Sequence, residues 1–194
     1  MINEQDIIKF DRTEAELEEL ALFLIAVAGK NANTTARQIS RILQGSKKPF
    51  ARIKYYSEQG QENFRQLLKS NGFGCQTRLA KAFTELVNSD LDLKTCSRED
   101  LLKIHGIGMK SANCFLSWTR KGTKLAMLDT HLMKFIRNEL GHTDAPKSTP
   151  SSKKQYEKWE KVYLDHCAEK KVDPTEYDLQ IWKKYAKRNN NITN

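Results

Sequence analysis

The sequence predicts a globular all-α fold, and two observations, the helical period and the segment boundaries, support the helical assignment. Apolar residues recur at i, i+3 and i+4 in nearly every segment, which is the period of a helix with one buried face. Start and stop signals separate the segments, beginning with the capping box of Thr13 and Glu16 and the helix-ending Gly29. The chain of 194 residues is 39% hydrophobic and 29% charged, a globular balance. Disorder, collagen-like repeats and coiled coil are therefore poor explanations.

The predicted helices follow one another between glycine and proline signals. In chain order they occupy 13–29, 34–43, 49–58, a segment ending at 71–72, 75–88, a short segment after 97, 109–120, 129–141 and two segments after 153. Pro49 stands in the first turn of its helix, and Asp173 with Pro174 caps the last one. Residues 141–153 contain Pro146, Pro150 and three serines, so they are the best linker candidate.

The charge balance favours an acidic partner. Lys and Arg number 33 against 24 Asp and Glu, which gives a formal net charge of +9 and a pI near 9.3. Nucleic acid is the commonest partner of this kind, because counterion release from the phosphate backbone drives association. A membrane surface, or solubility alone, would also account for the charge.

Membrane insertion, secretion and metal binding have little support in the sequence. No stretch approaches the roughly 20 apolar residues of a membrane span, and the start MINEQDIIKF lacks the apolar core of a signal peptide. We therefore expect a cytoplasmic protein. The cysteines at 75, 96, 114 and 167 form neither a CxxC pair for zinc nor a tight cluster for iron–sulfur, so reduced thiols are expected.

The most informative window is 101–132, where a glycine turn, a lysine and an aspartate occur together. In GIG at 106–108, two glycines bracket an apolar residue between two short helices, and backbone N–H groups at the start of the second helix are left bare. Such a turn accepts a phosphate oxygen. Glycine suits it because a Cβ would hinder both left-handed backbone angles and close approach of a DNA strand. An ordinary αα-turn with a glycine cap is the alternative.

This window resembles the helix–hairpin–helix and catalytic segment of the DNA glycosylase superfamily that includes endonuclease III and 8-oxoguanine DNA glycosylase. GIGMK at 106–110 matches the GxGxK of that superfamily, and LDTH at 128–131 is similar to the VDVH of the 8-oxoguanine enzymes. The interval from Lys110 to Asp129 is 19 residues, as in those enzymes. The pairing of the two motifs is more specific than either motif alone.

The resemblance implies roles for individual residues. Lys110 would be the nucleophile of a bifunctional glycosylase/lyase, a task that requires its amine in the neutral form. Asp129 would stabilise the developing oxocarbenium charge of the sugar while also capping a helix. Gly106, Ile107 and Gly108 would bind DNA phosphate, and His131 would contact a phosphate or the pocket wall.

The base pocket and the wedge also have candidates by resemblance. Cys114, four residues after Lys110 on the same helical face, would pack against the extruded base, and Trp182 would supply the opposite wall, with Tyr185 as second choice. Buried core positions are the alternative for all three. Lys30 or Asn31, in the turn after the first helix, is a candidate wedge for the space left by the flipped base, against the alternative of a polar loop.

Two differences from other members of the superfamily indicate which branch the sequence resembles most. Only Cys167 lies beyond residue 114, so the four-cysteine iron–sulfur cluster of endonuclease III cannot form, and we expect neither a cofactor nor a metal. There is no room before the first helix for the sheet-bearing extension of the longer 8-oxoguanine enzymes, so the small bacterial or archaeal type is closer.

The predicted architecture therefore has two helical lobes, a helix–hairpin–helix motif and a cleft between the lobes. Residues 20–122 would form a helical barrel lobe, and residues 1–19 with 123–194 the other lobe. The predicted function is a monomeric base-excision repair 8-oxoguanine DNA glycosylase/AP lyase acting on double-stranded DNA, without a membrane partner. A glycosylase/lyase for another modified base or for abasic sites remains an alternative, as does a non-catalytic helix–hairpin–helix DNA-binding module.

Overall fold

Ten α-helices account for the regular structure of the described residues, among which there is no strand. The computed structural model describes residue 2 and residues 7–190, with side chains up to Tyr185, so part of the N-terminal start considered above lies outside it. The helices are α1 Glu14–Ala26, α2 Ala32–Leu43, α3 Pro49–Glu58, α4 Gln61–Ser70, α5 Gln76–Val87, α6 Arg98–Leu102, α7 Met109–Thr119, α8 Thr130–Asn138, α9 Lys153–Lys170 and α10 Pro174–Asn190. The all-α prediction is confirmed.

The first helix is capped at the residues that the sequence predicts. Glu16 N–H donates to Thr13 Oγ1 at 3.4 Å, while Thr13 N–H donates to Glu16 Oε2 at 2.7 Å, which completes the capping box of α1. Helix α2 begins two residues before the predicted start, because the side chain of Asn31 accepts the N–H of Thr34 at 3.0 Å and caps it.

Helix α1 is the centre of the first unit and is buried on more than one face. Every residue from Leu20 to Ala26 is buried, including Leu22 and Phe23, so the burial is not confined to one helical face. The helix packs against α2, α3, α5 and α7, so neighbours on several sides cover it. A helix that is apolar nearly all round is stable only in such a central position.

The chain divides into two compact units, of which the first ends at Thr119 and the second begins at Arg120. The described part of residues 1–19 groups with the first unit, because α1 is one continuous helix within that core. The functional division into a barrel lobe and a second lobe stays a prediction.

The second unit contains α8, α9 and α10, with α10 packed on both of the others. The predicted linker is an ordered loop of this unit. Arg137 Nη1 donates to the carbonyl of Ala145 at 2.9 Å, and Ala145 and Pro150 are buried. Among the described helices, none is long and apolar enough to cross a membrane.

Candidate active site

A tight turn between α6 and α7 forms the hairpin that the glycines predict. Gly106 has a φ of +85°, and a Cβ built on it would lie 3.2 Å from the Cβ of Ala82, so both conformation and space favour glycine. Ile107 anchors the turn, since it is 9% exposed and its N–H donates to the carbonyl of Ile104 at 3.1 Å. Glu85 fixes the approach to the turn by accepting the N–H of His105 at 3.0 Å.

Gly108 differs from Gly106 in its backbone angle and in the space around it. Its φ is not positive, and a Cβ built on it would meet nothing within 4 Å, so the protein itself does not require glycine here. Within the described residues, the backbone N–H groups of Gly108, Met109 and Lys110 have no acceptor. Bare donors at a helix N-terminus favour an anion, and an open approach at Gly108 suits a phosphate.

Lys110 and Cys114 lie on α7 directly after this turn. Lys110 is in the first turn of the helix and is half-buried, whereas Cys114, one turn later, is only 3% exposed. Gly106, Ile107, Gly108, Lys110 and Cys114 thus belong to one continuous segment of the first unit.

Asp129 caps α8 in the second unit, as the sequence predicts. Its Oδ1 accepts the N–H groups of His131 and Leu132, both at 2.8 Å. The side chain is half-buried, and no described residue donates to Oδ2. The carboxylate is therefore held through one oxygen, and the other has no donor among the described residues.

Two residues of α9 fix the segment before Asp129, and sequence reasoning missed both. The Tyr156 hydroxyl accepts the N–H of Leu128 at 3.1 Å and donates to the carbonyl of Ala126 at 2.8 Å. Glu160 Oε1 accepts the N–H of Ala126 at 3.1 Å. These contacts join residues about 30 positions apart, so no local sequence pattern could indicate them. Glu160 is also buried, which is unusual for a glutamate.

His131 and Trp182 are brought together in the second unit. Their rings meet edge to face with centroids 6.4 Å apart, and both side chains are partly exposed. Tyr185, the second candidate for the pocket wall, is 2% exposed and donates its hydroxyl to Glu139 at 2.7 Å. Tyr185 is thus a core residue, which leaves Trp182 as the available aromatic surface.

The two wedge candidates occupy the turn before α2, and both are exposed. The side chain of Asn31 is engaged as the α2 cap, while Lys30 extends towards a second turn, where a Cβ built on Gly74 would lie 3.5 Å from Lys30 Nζ. Gln38 Nε2 donates to the carbonyl of Gly72 at 2.7 Å and joins this second turn to α2. Sequence reasoning did not associate residues 72–75 with this region; the repeated glycines were the available signal.

Thiols and possible metal ligands are scattered in the described chain. Cys75 is exposed, and the other three cysteines are buried. No group of three or more His, Cys, Asp or Glu side chains that could hold a metal ion occurs among the described residues.

Comparison with known proteins identifies the family. The family model for 8-oxoguanine DNA glycosylase matches residues 4–172. The chain belongs to this family. The matched range includes both motifs, of which the first, at 106–110, contains the hairpin, whereas Trp182 lies beyond it.

Solved structures support the glycosylase fold. The 8-oxoguanine DNA glycosylase of Thermotoga maritima is 25% identical with a TM-score of 0.68, and the match covers 92% of this chain and 85% of that one. The 8-oxoguanine DNA glycosylase of Methanocaldococcus jannaschii has a TM-score of 0.69 at 22% identity, with 92% and 82% covered. An endonuclease III–DNA covalent intermediate matches with a TM-score of 0.61 at 18% identity, with 93% and 83% covered.

Proposed function

We propose that this member of the 8-oxoguanine DNA glycosylase family excises 8-oxoguanine from DNA and cleaves the abasic product through Lys110. Family membership supports the enzyme class and its place in base-excision repair. The observation that carries the residue assignment is the position of Lys110, in the first turn of α7 beside N–H groups that have no acceptor among the described residues. A phosphate bound there would fix a nucleotide next to the lysine.

The reaction begins with the neutral amine of Lys110. Its nitrogen attacks C1′ of the flipped nucleotide, the bond from C1′ to the base breaks, and the base leaves with a proton. Opening of the sugar ring gives a Schiff base between C1′ and the lysine nitrogen. Removal of a proton from C2′ then expels the 3′ phosphate by β-elimination, which nicks the strand 3′ to the lesion.

Asp129 would stabilise the positive charge that develops on the sugar as the base leaves. A carboxylate near the sugar favours an oxocarbenium-like transition state, and a rigid one needs little reorganisation. The two N–H bonds to Oδ1 supply that rigidity. Asp129 thus combines a structural and a catalytic role.

The remaining predicted residues would position the substrate. The hairpin at 106–108 and His131 would hold backbone phosphates of a damaged duplex, and Lys30 or Asn31 would enter the space left by the flipped base. Cys114 and Trp182 would contact the base. We further propose that the protein acts as a monomer and in the cytoplasm, at the nucleoid in a bacterial or archaeal cell.

Borohydride trapping tests the function directly, because the reagent reduces a Schiff base to a stable covalent complex. Three duplexes are compared: 8-oxoguanine opposite cytosine, an abasic site and undamaged DNA. We expect the wild-type chain to be trapped on the first two, and Lys110→Gln to be trapped on neither. Full strand cleavage by Lys110→Gln would show that another group is the nucleophile.

The other outcomes separate the alternatives. Trapping on the abasic duplex alone would keep the lyase and reopen the identity of the base. DNA binding without any trapping would favour a non-catalytic binding module.

A further inference from the structure

An open groove runs beside α8 in the second unit, and its lining is basic. The groove has a volume of about 360 Å³ and is lined by Thr130, His131, Lys134, Arg137, Asn138 and Lys147. No aspartate or glutamate contributes to the lining. Apart from His131, which the proposed function already uses, these residues have no assigned role.

The charges in this groove are not neutralised by the protein. Within residues 7–185, no carboxylate forms an ion pair with Lys134, Arg137 or Lys147, although lysines elsewhere in this unit, such as Lys161, pair with acidic neighbours. Three uncompensated cations around one groove repel one another unless an anion lies between them. The groove therefore favours an anionic ligand.

The two cations from α8 are held in place by neutral partners. Arg137 Nη1 donates to the carbonyl of Ala145, which leaves its other N–H donors for a ligand. The ammonium of Lys134 lies 5.3 Å from the ring centroid of Tyr185, a cation–π contact that orients the side chain and keeps its charge. Lys147 approaches from the loop between α8 and α9.

The groove adjoins the aromatic surface described above. His131 lines the groove and also contacts the ring of Trp182. The N–H groups of His131 and Leu132 are occupied by Asp129, so recognition in the groove depends on side chains rather than on those helix-end donors. A nucleotide with its base near Trp182 would bring a backbone phosphate towards these cations.

We propose that this groove is a phosphate subsite for the DNA backbone, with Lys134, Arg137 and Lys147 as its cationic residues. The subsite rests on the proposed function, since its ligand is the DNA strand that carries the damaged base. It extends the contact surface along α8 by about two turns beyond His131, as far as Arg137. Its contribution is to affinity and register, because phosphate contacts carry little base information.

The test is the salt dependence of DNA binding by the full chain. The probe is a fluorescent duplex with a tetrahydrofuran abasic analogue, which has no base to release and no C1′ hydroxyl to open. Binding constants are measured over a range of salt concentrations for the wild type, Lys134→Gln, Lys147→Gln and the double variant. The matched control is Lys154→Gln, which removes one charge from an exposed lysine outside the groove.

Each lost phosphate contact should flatten the plot of log K against log[salt] by about 0.9 and weaken binding about eightfold near ~0.1 M salt. We expect this change for each single variant, about twice the change for the double variant, and a smaller change for Lys154→Gln. Arg137 is not substituted because its contact with Ala145 also orders the loop. Thermal melts check that the variants remain folded.

Slopes for Lys134→Gln and Lys147→Gln that equal the wild-type slope, or the Lys154→Gln slope, would overturn the subsite. Competition between inorganic phosphate and the DNA probe tests whether the groove binds a free anion instead of the DNA backbone. If the variants lose phosphate binding while their DNA-binding slopes stay unchanged, the proposed DNA subsite would also be overturned. Borohydride trapping by the wild type is measured separately, because it tests the proposed chemistry and not the subsite. Altered slopes without any trapping would keep the subsite while contradicting the glycosylase chemistry.

Discussion

The Tyr156 hydroxyl forms a hydrogen bond with the backbone of Leu128, one residue before the predicted catalytic Asp129. It accepts the N–H of Leu128 at 3.1 Å and donates to the carbonyl of Ala126 at 2.8 Å, and all three residues are buried. A helix of the second unit thereby sets the path of the segment that delivers Asp129 to its cap position. The position of the carboxylate depends on this contact as well as on its own hydrogen bonds.

Tyr156→Phe should lower both stability and turnover. The substitution keeps the ring but removes the acceptor of a buried N–H, which typically costs about 1–3 kcal/mol. Urea unfolding measures the stability change, and we expect kcat for base excision to fall more than KM changes. Tyr55→Phe makes the same chemical change at a side chain 54% exposed and should leave both unchanged. Equal effects of the two substitutions would contradict the positioning role of Tyr156.

The hairpin glycines give a matched pair of tests. Gly106→Ala forces a left-handed backbone angle on a residue with a Cβ and should cost about 1–2 kcal/mol of folding stability. Gly108→Ala meets no neighbour and should leave stability unchanged or raise it by about 0.4–1 kcal/mol.

DNA binding should nevertheless weaken in Gly108→Ala. A methyl group at this position would interfere with a phosphate at the start of α7, and loss of one hydrogen bond to a charged group, ~1.5 kcal/mol, corresponds to roughly tenfold lower affinity. Fluorescence anisotropy with duplex DNA measures this. Wild-type affinity in a stably folded Gly108→Ala would argue against phosphate binding at the turn.

Local signals in the sequence were enough for the helices and for the hairpin. The capping box of Thr13, the glycine at 106 and the Asp129 cap depend on neighbours within a few residues, and each occurs where it was predicted. Contacts between distant segments were missed. The burial of Phe23 depends on helices that pack around α1, and the Tyr156 contact spans 28 positions. Neither leaves a periodic pattern.

Substitutions at Asp129 should separate its cap from its charge. Asn supplies the same oxygen to the N–H groups of His131 and Leu132, so Asp129→Asn should retain stability. Asp129→Ala should lose about 1 kcal/mol. Both should slow trapping on the 8-oxoguanine duplex by roughly 10²–10³-fold, because both remove the negative charge. Near-normal trapping by a stable Asp129→Asn would leave Asp129 with its structural role alone.

A larger side chain at Cys114 should slow excision of the base more than it slows the lyase step. Cys114 is 3% exposed, so Cys114→Leu should cost about 1–3 kcal/mol through overpacking. If the thiol contacts the extruded base, excision of 8-oxoguanine should fall at least about tenfold more than cleavage at an abasic site, which has no base to accommodate. Cys114→Ala is the conservative control and should keep the wild-type ratio of the two rates. Equal loss in both reactions by Cys114→Leu would indicate a packing role only.

The α1 cap should make stability depend on pH in the acid range. The hydrogen bond from Lys9 Nζ at 2.6 Å and the N–H of Thr13 lower the pKa of Glu16 from 4.5 to about 2. The ionised carboxylate therefore stabilises the folded chain above pH 4.5, and this contribution is lost as the pH falls towards 2. Because Lys9 and Glu16 are each more than one third exposed, solvent screening limits it to about 0.5 kcal/mol.

Glu16→Gln retains a hydrogen-bonding group at this position and removes the charge, so it isolates that contribution. Urea unfolding at pH 7 should show the substituted chain to be less stable than the wild type, and the difference should shrink between pH 4.5 and pH 2 and with added salt. Glu58→Gln, at an exposed carboxylate without a hydrogen bond to a described residue, should show no such change. A difference for Glu16→Gln that persists undiminished at pH 2 could not come from ionisation and would attribute the stability of the cap to neutral hydrogen bonds.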